Sequence, residues 1–297
     1  MAPAKDENLN LASIGIMGGT GLYEIEGLKD VREIRLGTPF GDPSDPFVLG
    51  ALEGKRVAFL SRHGRGHRLL PAEINYRANI YGFKMLGVGR IISVNSVGSL
   101  KADIQPRDIV LADQFFDRTR RLNTFFGGGI VAHVSFGQPV CQELSRSVFD
   151  AAAGLGLRAH PGGTYICIEG PAFSSKAESV IYKSWGCDII GMTAATEAKL
   201  CREAEICYAT MNLVTDYDVW HAEEEAVSVE LILQNLRENI EKAKAVIKRA
   251  VAGLGSDQPD SCGCCRALRN TIVTSPSLIP AETRDKLRLL IGKYLRG

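Results

Sequence analysis

The sequence reads VAFLSRHGRGHR over residues 57–68, a short apolar run that ends in a cluster of cationic side chains and glycines. The apolar part, Val57–Leu60, has the length and composition of a buried strand. In α/β proteins, ligands bind where the strands of the sheet end. The stretch therefore predicts one strand of an α/β sheet, with a cationic loop placed where a ligand can bind.

Similar apolar runs recur along the chain, at Ile14–Met17, Arg90–Val94, Ile109–Ala112, Tyr165–Ile168, Asp188–Gly191 and Tyr208–Val214. Continuous apolar strands of this kind suit a sheet that is covered on both faces. Helical patterns lie between and after them, at residues 73–86 and 140–155, after a capping box of Ser175 and Glu178, and from Val229 to Ala250. This alternation predicts an α/β fold with a mostly parallel sheet.

The apolar stripe of the last long helix ends near Gly253 and Gly255, and a polar, linker-like stretch follows. We therefore predict a main domain over residues 1–255 and a C-terminal extension over residues 256–297. Within the extension, Pro280–Leu295 has the pattern of a short amphipathic helix. This helix is expected to dock on the main body or on a partner subunit, or else to be mobile.

The composition excludes several classes of protein. The chain has 297 residues, of which 45% are hydrophobic and 23% charged, and its formal net charge is +1. A nucleic-acid or acidic-membrane binder would need a broad basic field, which this balance does not provide. The N-terminal residues resemble no signal peptide, and no apolar run is long enough to span a bilayer. We expect a cytoplasmic protein without nucleic-acid or membrane partners.

Eight cysteines fall into two groups. Five are scattered through apolar stretches and are expected to be small buried thiols: Cys141, Cys167, Cys187, Cys201 and Cys207. The other three crowd together at Cys262, Cys264 and Cys265. For these three the sequence leaves open reduced thiols, a structural or redox disulfide, and a metal site.

The cationic loop has the chemistry of an anion site. The guanidinium of Arg62 is a planar fork that matches phosphate oxygens, and His63 stands beside it. Zinc binding by His63 and His67 is disfavoured, because the intervening glycines break the helix that would align them and the neighbouring arginines repel a cation. A solvated basic loop is the alternative.

Other strand ends carry further polar groups. A glycine-rich turn at residues 16–22 contains Thr20, and the turn at residues 94–100 contains Asn95 and Ser96. The strand ending at Val214 is followed by Asp216 and Asp218, which period-two geometry puts on one face. Such a pair can form hydrogen bonds with the polar edge of a heterocycle. A solvated turn, a helix cap or a metal site is the alternative.

Several segments together resemble the purine nucleoside phosphorylase family, in particular its methylthioadenosine phosphorylase branch. The segments are GGTGL (18–22), SRHGRGH (61–67), NYRANI (75–80), DQFFDRT (113–119), IEGP (168–171), MT (192–193) and TDYDVW (215–220). The resemblance spans residues 11–250. It implies a single α/β domain with a central mixed, partly barrel-like sheet flanked by helices, assembled as a homotrimer or a dimer of trimers.

The resemblance also implies a reaction and a set of site residues. Phosphate attacks C1′ of a nucleoside and releases a free base and a ribose 1-phosphate, which makes the enzyme a pentosyltransferase. The residues that the match assigns to phosphate are Thr20, Arg62, His63, Asn95, Ser96 and Thr193. Those that it assigns to the nucleoside are Phe173, Ser174, Met192, Val229, Ile232, Leu233 and, reaching over from a neighbouring subunit, His133. The partners are then the nucleoside and phosphate, a co-substrate; we expect no cofactor and no metal.

Asp216 and Asp218 indicate which base the enzyme releases. Two carboxyl groups in one desolvated site favour one of them keeping its proton. We assign Asp216 as the general acid at N7 of the purine and Asp218 as the acceptor for the 6-amino group. A 6-oxopurine would set two acceptors against each other, at a cost of about 1–3 kcal/mol. This favours 5′-methylthioadenosine over a 6-oxopurine nucleoside such as inosine; a non-catalytic nucleoside-binding relative is the third reading.

The chain departs from the family pattern in four places. Asn95 and Ser96 stand where the branch commonly has Thr-Ala, and Thr196 stands where proline is usual before Glu197. The segment Leu122–Gly129 is short and glycine-rich. The fourth departure is the C-terminal extension with its cysteine cluster. Some thermophilic relatives form disulfides from Cys-x-Cys pairs at this end of the chain.

Overall fold

Strand β5 (Arg90–Ser99) is the strand on which the rest of the sheet is assembled. A computed structural model gives the structure of residues 8–19, 21–221, 229–255 and 262–295, without the side chains of 229–234 and 236. β5 pairs in parallel with β1 (Ile14–Gly18) along its first half and antiparallel with β10 (Ile189–Gly191) at its end. β11 (Cys207–Tyr217) pairs in parallel with β5 along its whole length.

The remaining strands extend the sheet outward from these four. They are β2 (Lys29–Ile34), β3 (Phe47–Leu52), β4 (Lys55–Ser61), β6 (Ile109–Val110), β7 (Gln114–Asp117), β8 (Ala159–His160) and β9 (Thr164–Cys167). One path through the sheet runs β2-β3-β4-β1-β5-β10-β9-β7, and β11 continues from β5 to β6 and β8. Because β5 has three neighbouring strands, the sheet branches there.

The described helices flank the sheet. They are α1 (Tyr76–Met85), α2 (Gln142–Ala153), α3 (Lys176–Ser184), α4 (Ala194–Glu203), α5 (Val229–Gly253), α6 (Ala281–Lys286) and α7 (Arg288–Ile291). α1, α2, α3 and α5 lie where the sequence patterns indicated a helix, whereas α4 was not predicted. The capping box at the start of α3 is present, with Ser175 and Glu178 each satisfying the other's backbone N–H. None of the described helices has the length and apolar content that a membrane span requires. The α/β prediction is confirmed.

The sheet is mixed, as the family resemblance implies: β3 runs antiparallel to both β2 and β4, and β6 runs antiparallel to β11. Most of its strand pairs are parallel, as the alternation of strands and helices predicted. Two details of the sequence prediction were wrong. The strand expected at Ile109–Ala112 is only two residues long. The single helix expected at Pro280–Leu295 is divided into α6, α7 and a short 3₁₀ turn, because Leu287 has a non-helical backbone that carries the chain into the core.

The C-terminal extension packs on the main body. Leu268, Leu287 and Ile291 belong to the same buried cluster as the aromatic residues of α1. The extension also forms backbone pairs with an earlier segment, through an antiparallel bridge between Ala132 and Ile272. The described part of the extension is therefore anchored by apolar burial as well as by hydrogen bonds.

A β-bulge interrupts β11 near its end. Val214 stands opposite Val97 of β5, but Asp216 stands opposite the next residue, Gly98, so that Thr215 is an extra residue. Two buried amides from α5 stabilise this irregular backbone: Asn239 donates to the Val214 carbonyl (2.9 Å) and Asn235 to the Thr215 carbonyl (2.7 Å). The bulge thus sets which residue of β11 lies beside Gly98.

Candidate active site

The carboxyl ends of β1 and β4 meet beside the middle of β5. Gly18, the last residue of β1, pairs with Ser61, the last residue of β4. The backbone N–H of Arg62 then donates to the Gly18 carbonyl (2.8 Å), which joins the glycine-rich turn to the cationic loop. Two segments that are far apart in sequence are therefore adjacent, at the kind of strand end where α/β proteins bind ligands.

Arg62 is a buried cation with a buried counter-ion. Its guanidinium forms an ion pair with Glu197 of α4, and the two side chains are 4% and 0% exposed. It also donates to the Ser93 hydroxyl (2.6 Å) and the Val94 carbonyl (3.1 Å). Glu197 in turn accepts from the hydroxyls of Ser93 (2.7 Å) and Tyr208 (2.9 Å). Buried charges need this degree of pairing to be tolerated.

Asn95 connects Thr193 to the same region. The Thr193 hydroxyl donates to the Asn95 side-chain carbonyl (3.1 Å), and the Asn95 amide lies 2.7 Å from the Thr210 hydroxyl and 3.3 Å from the Ser93 hydroxyl. The structure thus brings three of the residues expected at phosphate, Arg62, Asn95 and Thr193, into one buried network. Ser96 follows Asn95 on the strand, is exposed, and points to the opposite face of the sheet.

His63 is held in one tautomer. Its Nδ1 lies 2.8 Å from the carbonyl of Leu69, which can only accept, so Nδ1 carries the proton. Burial lowers the pKa of His63 to about 4, and the adjacent positive charge of Arg62 acts in the same direction. A neutral His63 therefore has the lone pair of Nε2 available to accept a hydrogen bond. Its ring stacks on His67, with centroids 4.3 Å apart.

The two aspartates lie close to each other beside Gly98. A Cβ atom at Gly98 would be 3.3 Å from Oδ1 of Asp216 and 3.5 Å from Cβ of Asp218, so the glycine leaves room for both. The Thr215 hydroxyl is 2.6 Å from Oδ2 of Asp216 and fixes the plane of that carboxyl group. Burial raises the pKa of Asp218, although the nearby Ser179 hydroxyl and Val219 N–H, which favour the charged form, oppose the rise.

The Arg62 network and the two aspartates lie along the same strand. Arg62 contacts β5 at Val94, and Asp216 faces β5 at Gly98. Four residues of extended strand span about 13 Å. This separation matches the length of a nucleoside with a phosphate ion on the far side of its sugar. The arrangement can therefore present a cation at one end of a nucleoside and carboxyl groups at the other.

The residues expected at the sugar and base lie around β9 and β10. Met192 packs on Gly170, where a Cβ atom would come within 2.6 Å of its sulfur. The Ser174 hydroxyl is buried and has no hydrogen-bond partner among the described residues, so it is available to a ligand. Phe173, by contrast, is 77% exposed. His133 is also exposed, and its backbone N–H donates to the Thr271 carbonyl of the C-terminal extension (3.0 Å).

Some expected site residues lie outside the described part of the structure. Thr20 is one of them, although the rest of its glycine-rich turn is described. For Val229, Ile232 and Leu233 only the helical backbone of α5 is described, not the side chains. Their expected roles remain predictions from the sequence.

The structure adds two residues that the sequence reasoning missed. One is Glu197, which was noted only beside an unusual Thr196 and is the counter-ion of Arg62. The other is Arg121, which donates to the hydroxyl of Tyr76 (2.8 Å), to Glu169 (2.9 Å) and to the backbone carbonyl of Met192. Three arginines within residues 118–121, directly after a strand, were the available signal for Arg121.

Comparison with known proteins identifies the family of the chain. A sequence model of the Phosphorylase superfamily matches residues 13–252, and the chain therefore belongs to that superfamily.

Individual relatives indicate a narrower class of enzyme within the superfamily. The chain is 57% identical to S-methyl-5′-thioadenosine phosphorylase of Koribacter versatilis, over 95% of this chain and 97% of the relative. It is 56% identical to S-methyl-5′-thioadenosine phosphorylase of Geobacter sulfurreducens, over 95% and 99%. The resemblance inferred from the sequence motifs is confirmed.

Solved structures show the same relationship. A methylthioadenosine phosphorylase from an antarctic soil metagenomic library superimposes with a TM-score of 0.91 at 48% identity, covering 95% of this chain and 99% of that one. A variant of the adenosine/methylthioadenosine phosphorylase of Schistosoma mansoni, crystallised with methylthioadenosine, has a TM-score of 0.77 at 35% identity and covers 86% and 97%. The single α/β domain with a mixed sheet is shared with these proteins.

Proposed function

We propose that this chain uses inorganic phosphate to cleave the N-glycosidic bond of 5′-methylthioadenosine, giving adenine and 5-methylthioribose 1-phosphate. It is then a pentosyltransferase. The observation that carries the proposal is the placement of a buried, paired Arg62 and of two aspartates along one strand, about one nucleoside length apart. The names of relatives that are more than half identical to the chain agree with it.

Phosphate binds at the Arg62 end. The ion pair with Glu197 fixes the orientation of the guanidinium before phosphate arrives, so that little reorganisation is needed. His63 is neutral over the working pH range and offers Nε2 as an acceptor, which suits a phosphate that still carries a proton. Asn95, Thr193 and Thr20 complete this end of the site on the proposal, whereas Ser96, which points to the opposite face of the sheet, takes no part in it.

Asp216 supplies the proton that the departing base needs. The transition state of such a cleavage resembles an oxocarbenium ion, so negative charge accumulates on the purine. A carboxylic acid at N7 neutralises that charge, and the bound phosphate both stabilises the cationic sugar and attacks it. The Thr215 hydroxyl, 2.6 Å from Oδ2 of Asp216, keeps the acid in position.

Asp218 selects the base. An ionised Asp218 accepts a hydrogen bond from the 6-amino group of adenine, whereas a 6-oxo group would place two acceptors together. The burial that raises the pKa of Asp218 also explains why an unmatched acceptor there is costly. Met192, Ser174 and Phe173 lie by the sugar and base on this proposal.

The 5′ end of the substrate binds between α5 and a neighbouring copy of the chain on this proposal. An apolar wall from Val229, Ile232 and Leu233 suits a methylthio group, and His133 of a neighbouring copy completes the pocket. That histidine is exposed, which is what a residue contributed to another subunit requires. Homotrimeric assembly is inferred from the resemblance to the family, and a cytoplasmic location from the composition of the sequence.

A three-substrate assay tests the function. Purified protein is incubated with methylthioadenosine, adenosine or inosine, each with and without phosphate, and release of free base is measured. We expect base release to require phosphate and to be fastest with methylthioadenosine. Faster cleavage of inosine would indicate a 6-oxopurine enzyme, and release without phosphate would indicate a hydrolase. No release from any nucleoside would indicate a binding protein.

A further inference from the structure

Four cysteines from three parts of the chain meet at one buried place. Cys141 directly precedes α2, Cys207 begins β11, and Cys262 and Cys264 belong to the C-terminal extension. Three of them are buried and Cys262 is partly buried. The sequence reasoning treated Cys141 and Cys207 as isolated thiols. The structure places them with the Cys-x-Cys pair of the extension, and we call these four residues the thiol cluster.

The geometry of the thiol cluster fits one tetrahedral metal ion. The four sulfur atoms all lie within 4.8 Å of one another. Four thiolates around a zinc ion, with zinc–sulfur bonds of about 2.3 Å, stand about 3.8 Å apart at the corners of a tetrahedron. Small rotations of the side chains therefore suffice to bring all four sulfurs to one ion. Gly263, with a φ of 70°, allows the tight turn that aims both Cys262 and Cys264 at the same point.

The sulfur atoms are close without being bonded to each other. The sulfur atoms of Cys207 and Cys262 are 3.4 Å apart, which is far longer than the 2.0 Å of a disulfide bond. All eight cysteines of the chain lie in the described part of the structure, and none of them forms a disulfide there. A set of four mutually adjacent thiols is the usual arrangement for structural zinc, whereas a disulfide needs only two.

The surroundings favour negative charge on the sulfurs. Arg202 of α4 points a guanidinium nitrogen at Cys264, 3.9 Å from its sulfur. Cys141 occupies the N-terminal cap of the twelve-residue helix α2, where the helix dipole stabilises a thiolate. Four thiolates and one Zn²⁺ carry a net charge of −2, which such groups partly offset. A cavity of about 310 Å³, lined by Arg90, Cys141 and Cys207, gives a path for the ion to enter.

We propose that Cys141, Cys207, Cys262 and Cys264 form a structural Zn²⁺ site that ties the C-terminal extension to the main domain. The site does not depend on the proposed enzymatic function. It is separate from the Arg62 network and the aspartates, and it involves none of their residues. Because two ligands come from the main domain and two from the extension, the metal joins residues that are more than 50 positions apart in sequence.

Metal analysis of the full chain tests the proposal. The protein is purified with a reductant, without chelators and without metal-chelate resin, and its zinc content is measured by mass spectrometry. We expect about one zinc per chain in the parent protein and less than about a tenth of that in a Cys262→Ser/Cys264→Ser double variant. Cys265→Ser is the matched control, since Cys265 adjoins the thiol cluster without belonging to it, and it should retain the metal.

A second measurement does not depend on the variants folding. A mercurial reagent added to the parent protein should release one zinc as four thiols react, and Co²⁺ substituted for Zn²⁺ should show the visible bands of a tetrahedral thiolate site. The proposal is overturned if the reduced parent chain holds no zinc even after incubation with Zn²⁺. It is equally overturned if its intact mass shows these four cysteines joined in two disulfides, or if the Cys265→Ser control loses the metal together with the double variant.

Discussion

The two ends of the candidate site are built in different ways. At the Arg62 end every charge has a nearby opposite charge or several hydrogen bonds, and Glu197 is fully buried. At the aspartate end two aspartates stand beside a glycine, and burial pushes the pKa of Asp218 upward. One end is preassembled around a permanent cation, whereas the other holds Asp218 in a place that disfavours its charge.

The difference follows from what each end must do. Phosphate keeps its charge throughout the reaction. The groups that bind it are therefore most effective when their positions are fixed in advance and their own charges are balanced by neighbouring residues. The base changes charge as it leaves, so the groups that face it must exchange a proton, which requires a carboxyl group that is not too stable as an anion. We therefore expect substitutions at the aspartate end to change rates and substitutions at the Arg62 end to change stability.

The largest effect is expected from Asp216→Asn. The amide cannot donate a proton to N7 in the way that a carboxylic acid can, so kcat should fall about 10²–10⁴-fold. The KM for methylthioadenosine and the free energy of unfolding should change little, because the side chain keeps its shape. Steady-state release of adenine at saturating phosphate measures the effect. Unchanged turnover would remove Asp216 from the mechanism.

Glu197→Gln tests the other end. It leaves Arg62 buried without its counter-ion, and breaking a buried pair in this way costs about 3–5 kcal/mol. The free energy of unfolding, measured by denaturant titration, should decrease by that amount. Glu169→Gln is the matched control, since Glu169 pairs with Arg121 but is 41% exposed, and its loss should cost about 1 kcal/mol or less. Equal losses in both variants would contradict the contrast between the two ends.

Asp218→Asn should change specificity rather than abolish activity. An asparagine amide can donate to a 6-oxo group, whereas the carboxylate cannot. The ratio of kcat/KM for methylthioadenosine to that for methylthioinosine should fall about 10–100-fold, which corresponds to about 1–3 kcal/mol. Paired progress curves for the two nucleosides measure this ratio. A constant ratio would mean that Asp218 does not face position 6 of the purine.

A smaller effect is expected from Thr215→Val. The substitution removes the hydroxyl that lies 2.6 Å from Asp216 while conserving the size and branching of the side chain. One hydrogen bond contributes about 1 kcal/mol, so kcat should fall about fivefold with KM nearly unchanged. Thr215→Ser restores the hydroxyl and should recover most of the loss. If both variants are equally slow, the effect comes from the bulge and not from the hydrogen bond.

The smallest effect concerns His63 and the dependence of stability on pH. Because the pKa of His63 is lowered to about 4 in the folded state, the unfolded chain binds the extra proton first as the pH falls from about 6.5 towards 4. The free energy of unfolding should therefore decrease over that range, by about 1 kcal/mol or less from this residue after solvent screening. His63→Gln should flatten the curve by that amount. His133→Gln, at an exposed site, is the control, and an identical change in both would contradict the assignment.

The sequence was informative where a strand is apolar and ends in a motif. The predictions for β1, β4, β5, β9, β10 and β11 were confirmed because each is buried and continuous. β2 was missed because it is exposed along most of its length and carries charged residues, and β8 because two residues form no pattern. These strands are defined by the neighbours with which they pair and not by their own composition.

The sequence predicted the residues of the candidate site better than it predicted the contacts between them. Arg62 and the aspartates follow apolar runs, and such positions can be read from a single sequence. That Glu197 neutralises Arg62 could not be read, because the two are separated by 135 positions and meet only when α4 packs on the sheet. The asparagines at 235 and 239 offered a weaker signal, since buried amides one helical turn apart need partners, and here they stabilise the bulge.

The pairing between Ala132 and Ile272 has a consequence for the order in which the molecule is completed. A ribosome makes the segment that carries His133 long before it makes the residues that hold that segment in place. The position of this histidine can therefore be fixed only after the C-terminal extension has been synthesised. A premature stop near residue 255 would leave the Arg62 network and the aspartates encoded, yet would remove the anchor of the His133 segment.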